Sequence, residues 1–424
     1  MTRRNLLKGF GAAAFLSPTV SHSSMDKLMN IISEDKLETA KTVIQNATSN
    51  GKLKIALGMV GNQDGPLMMD SSGINGPQSK VPIGPDTIFN IASMTKLVTT
   101  IAALQLVESG KFELDAPVNS YLPEMEGLKV LLGFDNAGDP LFEDAVRAPT
   151  ARELITHTSG YVYPFWNENA FLAQEKGLVP NFFGGGSEWL QAPLAFQPGT
   201  RWEYGIGIDW LGVLVEKISG KRLMEYFFDH IFKPLGMLDT FYEFPADKLD
   251  RSLGILPRID GLLEAPKDAQ PKPSAPGSME FYSGGGGLYS TMKDYGRIMT
   301  VMLNNGSLDG VRILKPETVE MMFQNQIGDL ALAHIQTQMP SLSNNCDMGF
   351  GSNAKWGLGF AIHPEGTRNG RSPGSASWAG LFNSYFWIDR QANIFGIVAT
   401  QVLPFADDYG LLFLTDFERA VYGK

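Results

Sequence analysis

A mixed α/β (α+β) fold is what this sequence predicts: an antiparallel sheet flanked by helices, with a mainly helical lobe inserted into it. Three observations carry the prediction. Strand-like segments at residues 53–61 and 87–91 precede an uncharged helical run, LVTTIAALQLV. The middle of the chain, 115–281, turns to helical patterns punctuated by Pro and Gly. Beyond it, SYFWIDRQANIFGIVATQVL holds two β-rich runs around Asp389 to Asn393, the pattern of a hairpin. Residues 25–114 with 282–424 are therefore assigned to the α/β lobe and 115–281 to the insertion. At 424 residues, 43% hydrophobic and 19% charged, the chain has room for one two-lobed unit or two domains.

Taken in order, residues 1–24 (MTRRNLLKGFGAAAFLSPTVSHSS) carry a basic start with Arg3, Arg4 and Lys8, then a short apolar stretch. This is the pattern of a twin-arginine export signal, although no clean A-x-A site follows. It predicts a periplasmic or secreted protein, or a cytoplasmic one where the leader is not processed. The strand at 53–61 (LKIALGMVG) and the short strand at 87–91 run into the helix that begins at Ser93. That helix is apolar nearly all round from Leu97 to Val107, so it is expected to be buried. In the insertion, ARELITHTS, GIDWLGVLVEKISG and RLMEYFFDHIF read as helices, the last ending at Pro234-Leu235-Gly236. The run Ser283-Gly284-Gly285-Gly286-Gly287 lacks the Gly-Lys-Ser/Thr end of a phosphate loop and is read as a close-packing device ahead of the helix TMKDYGRIMTVMLNNG. A final helix, about 408–421, would cover the sheet.

Composition excludes several function classes. A net charge of −10, made more negative by loss of the basic leader, argues against a nucleic-acid partner. Cys346 is the single cysteine, so neither an intrachain disulfide nor a Cys-ligated zinc site is available. The five histidines, at 22, 157, 230, 334 and 363, form no ligand spacing. No metal and no cofactor are expected, and no later segment is apolar for long enough to span a membrane.

Ser93-Met94-Thr95-Lys96 is the most informative feature. A serine three residues before a lysine on a helix faces it, and burial at the mouth of an apolar helix disfavours the ammonium form. A lysine so placed can serve as the base that a weakly nucleophilic hydroxyl needs. Three further segments accompany it: Leu154-Ile155-Thr156-His157-Thr158-Ser159-Gly160, then Pro198-Gly199-Thr200-Arg201-Trp202-Glu203-Tyr204-Gly205, then Ser377-Trp378-Ala379-Gly380-Leu381 entering a strand. Tyr204 can project a phenol from a loop tip, and the small residues at 379–380 let backbone N–H groups approach a bound carbonyl.

This order of motifs resembles the serine β-lactamase and penicillin-binding superfamily. The W-x-Y pattern, and W-x-G in place of Lys-Thr-Gly, are most similar to the β-lactamase-like carboxylesterases called family VIII, with a related acyltransferase branch. The resemblance implies that Ser93 attacks an acyl carbonyl and that Lys96 and Tyr204 share the proton transfers. It also implies that the backbone N–H groups of Ser93 and Leu381 hold the oxyanion, and that Trp378 and Gly380 line the substrate site. His157 is implied to be structural, closing the loop before Gly160.

Two departures bear on the substrate. Ile206 stands where β-lactamases commonly carry an asparagine, and Trp378 where a lysine would meet a substrate carboxylate. Both point to neutral esters, since a carboxylate would lack its usual cation. Gly370-Arg371-Ser372-Pro373-Gly374 matches G-x-S-x-G, but Pro373 has no N–H for an oxyanion hole, so Ser372 is read as a loop residue. The expectation is a serine hydrolase acting on a small-molecule ester. Acyl transfer, or cleavage of a β-lactam or D-amino peptide, is the alternative within the same chemistry; a catalytically silent binding module is the alternative outside it.

Overall fold

The computed structural model describes residues 32–74, 82–184, 186–264, 266, 269–349 and 351–424; the leader predicted at 1–24 lies outside them. From Ser33 onward the chain forms one compact unit.

Its centre is a seven-stranded antiparallel sheet built from β1 (Ile55–Asn62), β2 (Gly65–Gly73), β3 (Lys355–Trp356), β4 (Ala361–His363), β5 (Ser375–Gly380), β6 (Ser384–Asp389) and β7 (Ile394–Ala399), in the order β3-β4-β5-β6-β7-β1-β2. Every strand of this sheet thus comes from near one end of the chain or the other. Strands β5 to β7 are buried along their whole length, which requires cover on both faces. On one face α1 (Glu34–Asn46) and the C-terminal helix bring Ile44 and Phe417 down onto Gly58. On the other, Gly296, in the helix that follows the glycine run, lies against Met59 and Phe395. The expected hairpin at 389–393 is the β6–β7 turn.

The helix predicted at the serine is present, with one refinement. Ala92–Met94 form a 3₁₀ turn and the α-helix proper, α2, runs Thr95–Glu108. Eleven of its fourteen residues are buried, Lys96 among them, as an all-round apolar sequence demands. The segment 115–281 contributes α3 (Gly207–Ser219) and the shorter helices Ala151–Ile155, Glu168–Glu175 and Leu223–Phe227. It also contains a hairpin, Lys129–Phe134 with Pro140–Asp144, absent from the sequence expectations. Leu132, Leu141 and Phe142 face solvent there at 55%, 46% and 47% exposure, so the alternation that marks a strand is broken.

After the glycine run, α4 spans Met292–Leu303 and is capped by Thr291 Oγ1 accepting from the Asp294 N–H. The last helix, α5, spans Asp408–Tyr422 and is capped by Asp407. No helix among the described residues is long and apolar enough to cross a membrane.

Candidate active site

Ser93 sits half-buried in the turn that joins the strand pair Phe89–Asn90 and Tyr289–Ser290 to α2. The residue before it, Ala92, has φ 43, a left-handed conformation that costs an L-residue energy. Asn90 holds it there, its Oδ1 accepting the Ala92 N–H at 2.8 Å. One helical turn later Lys96 is fully buried. Its Nζ lies 3.2 Å from Ser93 Oγ, 2.9 Å from Tyr163 Oη and 2.7 Å from the Gly285 carbonyl. Three partners match the three N–H bonds of an ammonium, yet burial without a directly paired carboxylate pulls Lys96 down to about 7, with Asp209 opposing.

Tyr204 arrives on the loop ahead of α3 and is also buried. Its hydroxyl hydrogen-bonds Ser93 and accepts the indole N–H of Trp378 at 3.1 Å. Burial raises this phenol above its ordinary value against both of those hydrogen bonds, so it is neutral near pH 7. His157 packs edge-on against the Tyr204 ring with centroids 4.5 Å apart. It accepts the Gly205 N–H at 3.4 Å, and burial drives its pKa well below the usual range. The neutral imidazole thus packs against the tyrosine ring and takes the N–H of the residue that follows it. Trp378 does more than the pocket wall expected of it: besides lining the cavity it donates to Tyr204 and packs on Trp356, centroids 4.4 Å apart. Trp378→Phe, which keeps the ring and deletes the donor, is expected to lower kcat about 10-fold with little change in KM. Steady-state kinetics on a soluble ester checks this, and an unchanged kcat would leave Trp378 as wall alone.

Gly380, the last residue of β5, lies against the Ser93 turn; a Cβ there would sit 2.4 Å from the Ile91 carbonyl. Only glycine permits that approach, which sets the start of the next residue, Leu381, beside the same cavity as Ser93. The sequence-predicted residues Ser93, Tyr204, Trp378, Gly380 and Leu381 all line this cavity, with Lys96 directly beneath. Ser372 does not: it lies in a loop, its N–H donating to Asp389 Oδ2 at 2.7 Å. Ile206 is buried at the start of α3 and does not line this cavity.

Two polar residues beside Lys96, and the aromatic wall of the cavity, were missed from sequence. Tyr163 comes from the loop VYPF, which carries no motif of its own. Asp209 is fully buried in the first turn of α3, and a carboxylate inside the apolar run GIDWLGVLV was the available signal. The cavity holds about 460 Å³ and is walled by Phe165, Trp166, Phe182, Trp189, Phe281 and Phe405. None of the described residues lining it carries a charge. Among the described residues no cluster of His, Cys, Asp or Glu is placed to hold a metal ion.

Comparison with known proteins follows the same line. The family model described as Beta-lactamase matches residues 50–418. A lovastatin esterase from Penicillium rubens is 34% identical over 357 residues, covering 81% of this chain and 87% of its own. A monacolin J acid methylbutanoyltransferase from Aspergillus terreus is 31% identical over 354 residues, covering 81% and 84%. Among solved structures, simvastatin synthase from Aspergillus terreus superposes with a TM-score of 0.78 at 28% identity, over 92% of this chain and 99% of that one.

Proposed function

The chain belongs to the beta-lactamase family, and from that premise we propose that it is a carboxylesterase working through an acyl-enzyme on Ser93. The observation that carries the reading is the Ser93–Lys96–Tyr204 cluster on the floor of an uncharged, aromatic cavity. In the neutral amine two N–H bonds remain for the Gly285 carbonyl and Tyr163, and the lone pair is left for the third direction, toward Ser93. Ser93 Oγ attacks the ester carbonyl as its proton passes to Lys96. The oxyanion is held by the backbone N–H groups of Ser93 and Leu381. Because Tyr204 is neutral, it acts as a relay: it donates its proton to the departing alkoxide and is reprotonated from Lys96. Water, activated by the same amine, then releases the acyl group.

A cavity of this size falls within the range of small-molecule sites, and its lack of charge favours a neutral, bulky apolar ester over a carboxylate-bearing β-lactam. The names of two relatives, an esterase and a methylbutanoyltransferase, support ester chemistry of this kind. Transfer of the acyl group to an alcohol is the second reading, favoured by room for an acceptor beside Ser93. Hydrolysis of p-nitrophenyl butyrate is expected to fall by at least about 10³-fold in Ser93→Ala, with little nitrocefin turnover by the wild type. Ester turnover that survives the substitution overturns the mechanism. Ester product formed on adding an apolar alcohol identifies the transferase.

A further inference from the structure

We propose that Asp209 is a positioning residue for the acyl transfer: buried beneath the site, it fixes Lys96 through Gly285 and supplies the one negative charge against which that lysine takes up its proton. The inference rests on the reading of Lys96 as the base. Asp209 lies in the first turn of α3, where the helix dipole favours a carboxylate. Its Oδ1 accepts the Gly285 N–H at 2.9 Å and the Ser283 hydroxyl. The carbonyl of the same Gly285 takes an N–H of Lys96 at 2.7 Å. One glycine is therefore gripped by the carboxylate on one side and grips the amine on the other. A Cβ at Gly285 would lie 2.3 Å from Asp209 Oδ2, and at Gly284 2.3 Å from the Ile208 carbonyl. The glycine run is the cost of seating a carboxylate there.

That second oxygen, Oδ2, is buried and makes no hydrogen bond among the described residues. A half-satisfied buried carboxylate is expensive, and a nearby cation is what offsets the cost. The other titratable groups around the pair do not supply charge. Tyr163, Tyr204 and Tyr242 are all raised by burial, and His157 is lowered by it. Lys96 and Asp209 thus form an isolated couple: burial pushes the Asp209 carboxyl up while Lys96 draws it down, and Asp209 draws Lys96 up. When Ser93 Oγ bonds to the acyl carbon and its proton moves to Nζ, the ammonium that forms faces a fixed anion. The charge persists until the proton leaves through Tyr204 with the alkoxide, whose C–O bond breaks in that step.

The experiment is the pH dependence of Ser93 labelling by a fluorophosphonate probe, read by intact-protein mass, in the full-length wild type, Asp209→Asn and Ser283→Ala. Asn keeps an oxygen for Gly285 and Ser283 but removes the charge. Without the anion the ammonium is less favoured, so the free amine persists to lower pH. The acid limb of labelling is expected to move down by at least about one pH unit, and the plateau rate to fall about 3- to 10-fold because a weaker base remains. Ser283→Ala withdraws a hydrogen bond that stabilises the Asp209 carboxylate, so the anion is less favoured and the limb is expected to move the same way by less. It keeps the test alive if the asparagine variant does not fold. Labelling that drops in either variant with the limb unmoved assigns Asp209 a merely structural part and overturns the proposal. Loss of Ser93 as the labelled residue in the wild type would instead strike the reading of the catalytic cluster.

Discussion

Ester hydrolysis is expected to switch on along one acid limb centred near pH 7, and Lys96→Met to remove about 10³-fold of kcat/KM at pH 8. Lys96 titrates at about 7 because burial penalises its ammonium form. Below that pH the nitrogen has no lone pair for the Ser93 proton, and above it the free amine accumulates, so activity rises with pH. An ordinary lysine, near 10.4, would be almost wholly protonated at pH 8. Methionine fills the same volume without a base, which separates lost chemistry from lost packing. The measurement is kcat/KM for p-nitrophenyl butyrate from pH 5 to 9, on protein whose circular dichroism matches wild type. A limb near pH 10, or a methionine variant keeping a tenth of the activity, would refute Lys96 as the base.

Glu418→Ala is expected to cost about 3–5 kcal/mol of stability while the remaining folded enzyme keeps its kinetic constants. The Arg371 and Glu418 side chains are only 4% and 2% exposed where they pair, joining the loop after β4 to α5. Asn369 Nδ2 adds a bond to the other Glu418 oxygen at 2.8 Å. Burial lowers Arg371 to about 10, still charged at neutral pH, so removing the glutamate strands a cation in the interior. The double variant Arg371→Met/Glu418→Leu, which removes both charges, is expected to recover most of the loss. Urea denaturation of the two proteins checks this. A single variant within about 1 kcal/mol of wild type would mean that water reaches the pair.

Local pattern made the backbone of the site legible. The all-round apolar stretch after Lys96 could only be an interior helix, and a lysine at its mouth had to lose solvent. Likewise Pro198 to Gly205, running into an apolar helix, placed Tyr204 on a loop tip. What the pattern lacks is any mark of who meets Lys96 from elsewhere in the chain. Tyr163 is 67 residues away from it and Gly285 is 189 away, and only the folded topology makes them neighbours. The glycine run was correctly read as a packing device, but its reason, the carboxylate of Asp209 beneath it, needed the third dimension. The aromatic wall escaped for the same cause: Phe165, Phe182, Phe281 and Phe405 follow no common period and converge from four separate segments.

The sheet order has a consequence for how such a chain comes into being. Strand β1 is flanked by β2, its neighbour in sequence, and by β7, with Leu57 opposite Ala399. A ribosome delivers Leu57 long before Ala399, so during synthesis the first hairpin waits with an open edge. The central pairing is made only when almost the whole polypeptide has emerged. Pairings so remote in sequence slow folding and prolong the exposure of unpaired edges. Premature termination between the end of α2 and β7 would therefore leave a fragment that contains Ser93 and Lys96 yet has no completed sheet to hold them together.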